Sequence, residues 1–116
     1  MIKATLRYSN PVTAILAGDW NREETEESFI RFLSVSAERC CPVIVDLTSV
    51  TSINSGFLHA IQTTWPNISK GGKLILIGIR NNIALTGLRG MAVALSSCGV
   101  FFTENWEEAI KLCQTN

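Results

Sequence analysis

A single histidine, His59, stands in a chain of 116 residues, and no cysteine or carboxylate pair accompanies it at ligand spacing. That scarcity argues against a metal centre, because zinc and transition-metal sites gather several imidazole, thiolate or carboxylate groups at one point. The cysteines Cys40, Cys41, Cys98 and Cys113 lack the paired short spacings of a zinc site, and no N-terminal secretion signal favours disulfides. They read as reduced, mostly buried thiols. Charge of one sign is also missing: ten Lys and Arg balance ten Asp and Glu. Without a net field, neither nucleic acid nor an anionic membrane is an expected partner. The longest apolar run, residues 74–79, falls well short of the roughly 18 needed to cross a bilayer, so a soluble, cytoplasmic protein is expected. Gly71-Gly72-Lys73 precedes a strand instead of opening a helix, which removes a phosphate-cradling loop, and no cofactor is expected. Repeats, linkers and low-complexity tracts are absent. With 47% hydrophobic content, residues 1–116 read as one domain with a single core.

What is present is a regular alternation of strands and helices. Residues 2 to 8 set Ile2, Ala4, Leu6 and Tyr8 against Lys3, Thr5 and Arg7, the pattern of an edge strand with one wet face. Asn10-Pro11 turns the chain into an apolar strand over 12–17 that Gly18-Asp19 ends, forming a hairpin. Asn21 and Glu24 form a capping box for a helix that turns Phe29, Phe32, Leu33 and Ala37 inward, its acidic first turns being a solvated face. Pro42 leads into a central strand, 43–47, followed by a loop rich in Ser and Thr. From Gly56 the apolar spacing becomes helical through Leu58, Ile61, Trp65 and Ile68, with Pro66 ending or kinking the helix near Trp65. Gly71-Gly72 turns into a strand over 73–79. Asn82 then caps a third helix carrying Ile83, Leu88, Met91 and Leu95, which Gly99 stops. Gly87 and Gly90 within it mark close packing or a break. A strand at 100–102 and a helix at 104–112, with Ala109, Ile110 and Cys113 facing in, complete the order ββαβαβαβα. The fold class is α/β: an N-terminal hairpin plus parallel βαβ units with right-handed crossovers, giving a mixed sheet with helices packed on it.

Chemistry concentrates between Val43 and Leu58. Ser55 falls at a helix N-terminus, His59 lies four residues on along the same helix, and Asp46 ends the preceding strand. A serine hydrolase would need these three together, yet no glycine-flanked elbow or oxyanion hole accompanies them, which makes hydrolysis a minor alternative. A helix-terminal serine also suits phosphorylation, since free amides and the helix dipole favour phosphate, which adds about two negative charges. The plainer role is capping by Asn54 and Ser55, with Asp46 anchoring the loop, Asp19 in a turn, and Trp20, Trp65 and Trp106 as core anchors.

Gly18, Asp46-Leu47, Ile53-Asn54-Ser55-Gly56, Gly71-Gly72, and Phe102 with Glu107-Glu108-Ala109 together resemble the pattern of the STAS domain family over nearly the whole chain. That family comprises anti-sigma-factor antagonists and their relatives in sulfate transporters and lipid-transport complexes. The resemblance implies a non-enzymatic module of transcription regulation that docks an anti-sigma serine kinase and is released by phosphorylation. The acceptor, the hydroxyl residue before the glycine, falls on Ser55, with Ser52 as fallback because Asn54 stands where the double-serine form has its first Ser. The implied docking surface is Asp19, Asp46, Ser52, Ile53, Asn54, Ser55, Gly56, Phe57 and His59. A rival within the resemblance is an accessory subunit of a membrane transporter, docked on an ATPase subunit without a phosphate cycle. The segment from Asn81 to Cys98 is longer than the family's usual third helix.

Overall fold

A computed structural model describes residues 2–7, 11–20, 23–38, 42–53, 55–68, 72–78 and 86–114. The expected caps Asn21 and Asn82, and Asn54, lie outside the described residues. The strands are β1 (Ile2–Arg7), β2 (Val12–Trp20), β3 (Val43–Ile53), β4 (Leu74–Ile77) and β5 (Val100–Thr103). The helices are α1 (Glu23–Glu38), α2 (Ser55–Ile68), α3 (Thr86–Ala94) and α4 (Trp106–Gln114), with a 3-10 turn at Ser96–Cys98. The strands lie side by side in chain order, β1 antiparallel to β2 and every later pair parallel. This is the mixed sheet the element order predicts, since each parallel neighbour is reached through a helix.

The central strands β3 and β4 are buried on both faces, and strand parity divides the core. Val43, Val45 and Leu47 point with Val12, Ala14, Leu16, Leu74, Leu76 and Val100 toward α1, α2 and α3, where Phe29, Phe32, Leu33, Ile61, Trp65, Met91 and Ala92 close the layer. Ile44, Ile75 and Ile77 point the other way and meet α4 through Ala109, with Phe101, Trp106, Leu112 and Cys113 around them. Continuous apolar runs in β3 and β4 are what two covered faces require.

Several expectations need correction. The polar stretch after Leu47 is strand, not loop: β3 continues to Ile53 because β2 itself runs past Gly18 to Trp20 and supplies a partner. Register shifts between Ile15 and Ala17, and between Gly18 and Asp19, each set one extra β3 residue against β2. Gly18, at φ 100°, therefore bends a continuing strand instead of ending it. Pro66 does not stop α2, which reaches Ile68; the proline sits exposed in the last turn, where Asn67 Nδ2 donates to the Thr63 carbonyl at 2.7 Å. Ile110 faces outward, 37% exposed, because α4 covers the sheet with Ala109, Leu112 and Cys113. Leu6, on the edge strand, is 43% exposed, so the alternation in β1 buries neither face there. The strand expected over 73–79 is Leu74–Ile77.

Gly87 and Gly99 have clear steric reasons. A Cβ on Gly87 would stand 3.0 Å from Leu58 Cδ1, so close α2–α3 packing accounts for it. Gly99 has φ +82°, and a Cβ there would lie 2.4 Å from the Gly72 carbonyl oxygen. Leu74 N donates to that glycine's own carbonyl at 2.8 Å, which locks the start of β4 to the start of β5.

Candidate functional site

The end of β3 and the start of α2 form the candidate site. Asp19 pairs with Ser52, and Trp20 with Ile53, in the β2–β3 ladder, so the backbone brings four expected or neighbouring positions to one end of the sheet. Ser55 is the first residue of α2, with Gly56 and Phe57 in its first turn. The helix start follows from the switch out of strand pairing at Ile53 and from Gly56 opening a run with three- and four-residue apolar spacing. Behind this first turn the helix is fixed firmly. Ile61 and Trp65 are fully buried, and Trp65 Nε1 donates to the Cys98 carbonyl at 2.9 Å.

The outer face of α2 is neutral. His59, Gln62, Thr63, Pro66 and Asn67 are exposed, and no Asp, Glu, Lys or Arg occurs anywhere in the helix. Thr63 Oγ1 donates to the His59 carbonyl at 2.8 Å, leaving the imidazole itself directed at solvent. A phosphate at the N-terminus of α2 would meet free amides and a favourable dipole without an acidic residue on the helix.

Asp46 has a different place from the one expected of a docking residue. It shares strand parity with Ile44, so its side chain lies on the α4 face of the sheet, across from α2. Asp46 is 7% exposed, and both its carboxylate oxygens accept hydrogen bonds. Oδ1 accepts from Thr48 N at 2.9 Å and Thr48 Oγ1 at 2.7 Å, and Oδ2 accepts from Trp106 Nε1 at 2.9 Å. Three hydrogen bonds hold a charged group at the point where β3 begins its irregular pairing, which makes Asp46 an anchor. A Ser55–His59–Asp46 triad is therefore not assembled: the sheet separates the carboxylate from the helix that carries the histidine. Among the described residues no group of three or more His, Cys, Asp or Glu could hold a metal ion.

Trp106 is the residue that sequence reasoning did not connect to this site. It starts α4, whose N-terminus is capped by Asn105 Oδ1 accepting from Glu108 N at 2.9 Å, while Lys73 Nζ donates to the Leu112 carbonyl at the other end. The usable signal was the parity of Asp46 with Ile44, which puts its carboxylate on the face that the closing helix must cover.

No protein-family model and no curated protein matches the chain. Among solved structures, an anti-sigma factor antagonist from Mycobacterium paratuberculosis superposes with a TM-score of 0.74, covering 99% of this chain and 96% of that one at 11% sequence identity. No helix among the described residues is long and apolar enough to cross a membrane. The chain thus has the fold of an anti-sigma factor antagonist, the fold that the STAS resemblance implies.

Proposed function

We propose that the protein is a non-enzymatic regulatory module that docks a protein partner through the end of β3 and the first turns of α2, and that phosphorylation of Ser55 releases that partner. The observation that carries the reading is the position of Ser55 as the first residue of an uncharged, firmly packed helix in an anti-sigma factor antagonist fold. Two added negative charges on a neutral face change what can dock there far more than they change the fold. The partner of best fit is an anti-sigma serine kinase, which would both bind this face and modify it. Asp19, Ser52, Ile53, Asn54, Gly56, Phe57 and His59 complete the docking surface, and Asp46 supports it from the far side of the sheet.

The test is capture from the native lysate with wild type, Ser55→Ala and Ser55→Asp, followed by mass spectrometry of the recovered chain. A kinase retained by wild type and Ser55→Ala but lost with Ser55→Asp, together with phosphate on Ser55, supports the reading; phosphate on Ser52 would move the switch to that residue. Recovery of a transporter ATPase with an unmodified Ser55 would instead favour the accessory-subunit role. A Ser55→Asp chain that fails to fold would show the side chain to be a structural cap.

A further inference from the structure

The outer edge of β5 offers a second recognition surface, unrelated to Ser55. Leu74 N donates to the Gly99 carbonyl and Gly78 N to the Thr103 carbonyl, at 2.8 and 3.0 Å. In an evenly spaced parallel ladder this sends the odd-numbered residues toward β4 and turns the amide and carbonyl of Phe102 outward, away from the sheet. Edge strands are commonly protected by charge, proline or bulges. β1, at the opposite edge, carries Lys3 and Arg7, whereas β5 reads Val-Phe-Phe-Thr and has none of these devices.

The β5 edge lies along a groove of about 630 Å³ between α3 and α4, within the size range of clefts that accept ligands. The α3 wall offers an apolar strip beside one cation: Ala92 is buried, Val93 is 77% exposed, and the Arg89 guanidinium lies over Phe102, 5.9 Å from the ring centroid. The end toward α4 is acidic, with Glu104 and Glu108. Helices on both faces of the edge leave room for one extended chain and obstruct a second complete sheet with its own helices.

We propose that this groove binds an extended peptide segment of a protein partner, which adds to the sheet beside β5 and pairs with the backbone of Phe102. Alternation along a strand sends neighbouring side chains to opposite faces. The segment therefore carries an aliphatic residue facing Val93 and Phe102 next to a lysine or arginine facing Glu108, with opposite charge fixing its register.

The test uses a synthetic peptide of alternating valine and lysine, titrated into the isotope-labelled full chain and followed by backbone amide shifts. Saturable shifts confined to β5 and α3, absent with an alternating valine–glutamate peptide and lost on N-methylation of the valine–lysine peptide, are expected. Val93→Lys, at an exposed position the fold tolerates, should weaken binding about tenfold or more by setting a hydrated ammonium where the aliphatic side chain of the segment would pack. Phe102→Pro should abolish it while Phe102→Leu, which also loses the ring but keeps the outward amide, retains it. Equal binding of the acidic peptide, or insensitivity to N-methylation, overturns the proposal. So does the appearance of the same shifts on raising protein concentration alone, which would identify a second copy as the occupant. Ser55→Asp should leave this binding unchanged, so failure here and failure of the phosphoswitch are separately visible.

Discussion

Replacing Trp106 by Phe removes one hydrogen-bond donor and leaves an aromatic ring in place, and the arrangement around Asp46 sets the cost. The lost bond runs 2.9 Å from Nε1 to a carboxylate oxygen, and the acceptor residue is 7% exposed. A hydrogen bond to a charged group contributes about 1.5–3 kcal/mol, and an acceptor stranded without its donor keeps its desolvation penalty. Trp106 is itself only half-buried, so water can partly replace the indole, which sets the expected loss at about 2 kcal/mol. For a chain of this length that corresponds to a melting temperature lower by about 8 °C.

Thermal and urea unfolding of wild type, Trp106→Phe, Asp46→Ala and the double variant form a cycle that isolates the pair. The double variant should be more stable than the sum of the single losses predicts, with a coupling of about 1.5 kcal/mol, because the second substitution removes a bond already broken. Thr48→Val, which deletes the 2.7 Å bond to the other oxygen but keeps the backbone amide in place, should cost about 1 kcal/mol. If Trp106→Phe and Asp46→Ala add to within about 0.5 kcal/mol, the Trp106–Asp46 bond contributes no measurable stability and the anchoring role assigned to it is wrong.

The glycines give predictions of opposite sign. Gly90→Ala meets nothing within 4 Å on an exposed helix position and should raise stability by about 0.5–1 kcal/mol in urea unfolding. Gly99→Ala combines a left-handed backbone with a Cβ 2.4 Å from the Gly72 oxygen; a loss of about 3 kcal/mol or failure to fold is expected, read by circular dichroism melting. Trp65→Phe leaves the Cys98 carbonyl without its indole donor and opens space in the main core, for a loss of about 2–3 kcal/mol measured the same way.

The strand–helix alternation was legible because it is written in local periodicity. The runs in β3 and β4, the stripe Phe29, Phe32 and Leu33, and the switch to helical spacing at Gly56 each need only neighbouring residues to be interpreted. The extension of β3 was hidden for a physical reason. Each extra residue in a bulge resets the alternation of faces, and Thr48, Ser49, Thr51 and Ser52 then look like a loop even though Ser49 pairs with Ala17 and Ser52 with Asp19. The Asp46–Trp106 bond joins residues 60 apart in sequence, and no local pattern encodes it. Ile110 was misplaced by a turn-level ambiguity: in a helix whose exposed face carries Glu107, Glu108 and Lys111, one apolar residue more or less does not fix the buried stripe.

At the site, the helix start was legible and its support was not. β3, like β4, serves both cores: Val45 and Leu47 lie under α2 and its neighbours, and Ile44 with Asp46 lies over α4. The two register shifts follow Asp46 and Val50 in turn and determine how far β3 travels before α2 begins at Ser55. On its inner face α2 is held by Ile61, Trp65 and the bond from Trp65 to Cys98. A charge added at the first residue of a helix so fixed has little freedom to repack the core behind it. The phosphate proposed for Ser55 therefore acts as an electrostatic change on a rigid surface, and Ser55→Asp should alter partner affinity while leaving the unfolding free energy within about 0.5 kcal/mol of wild type.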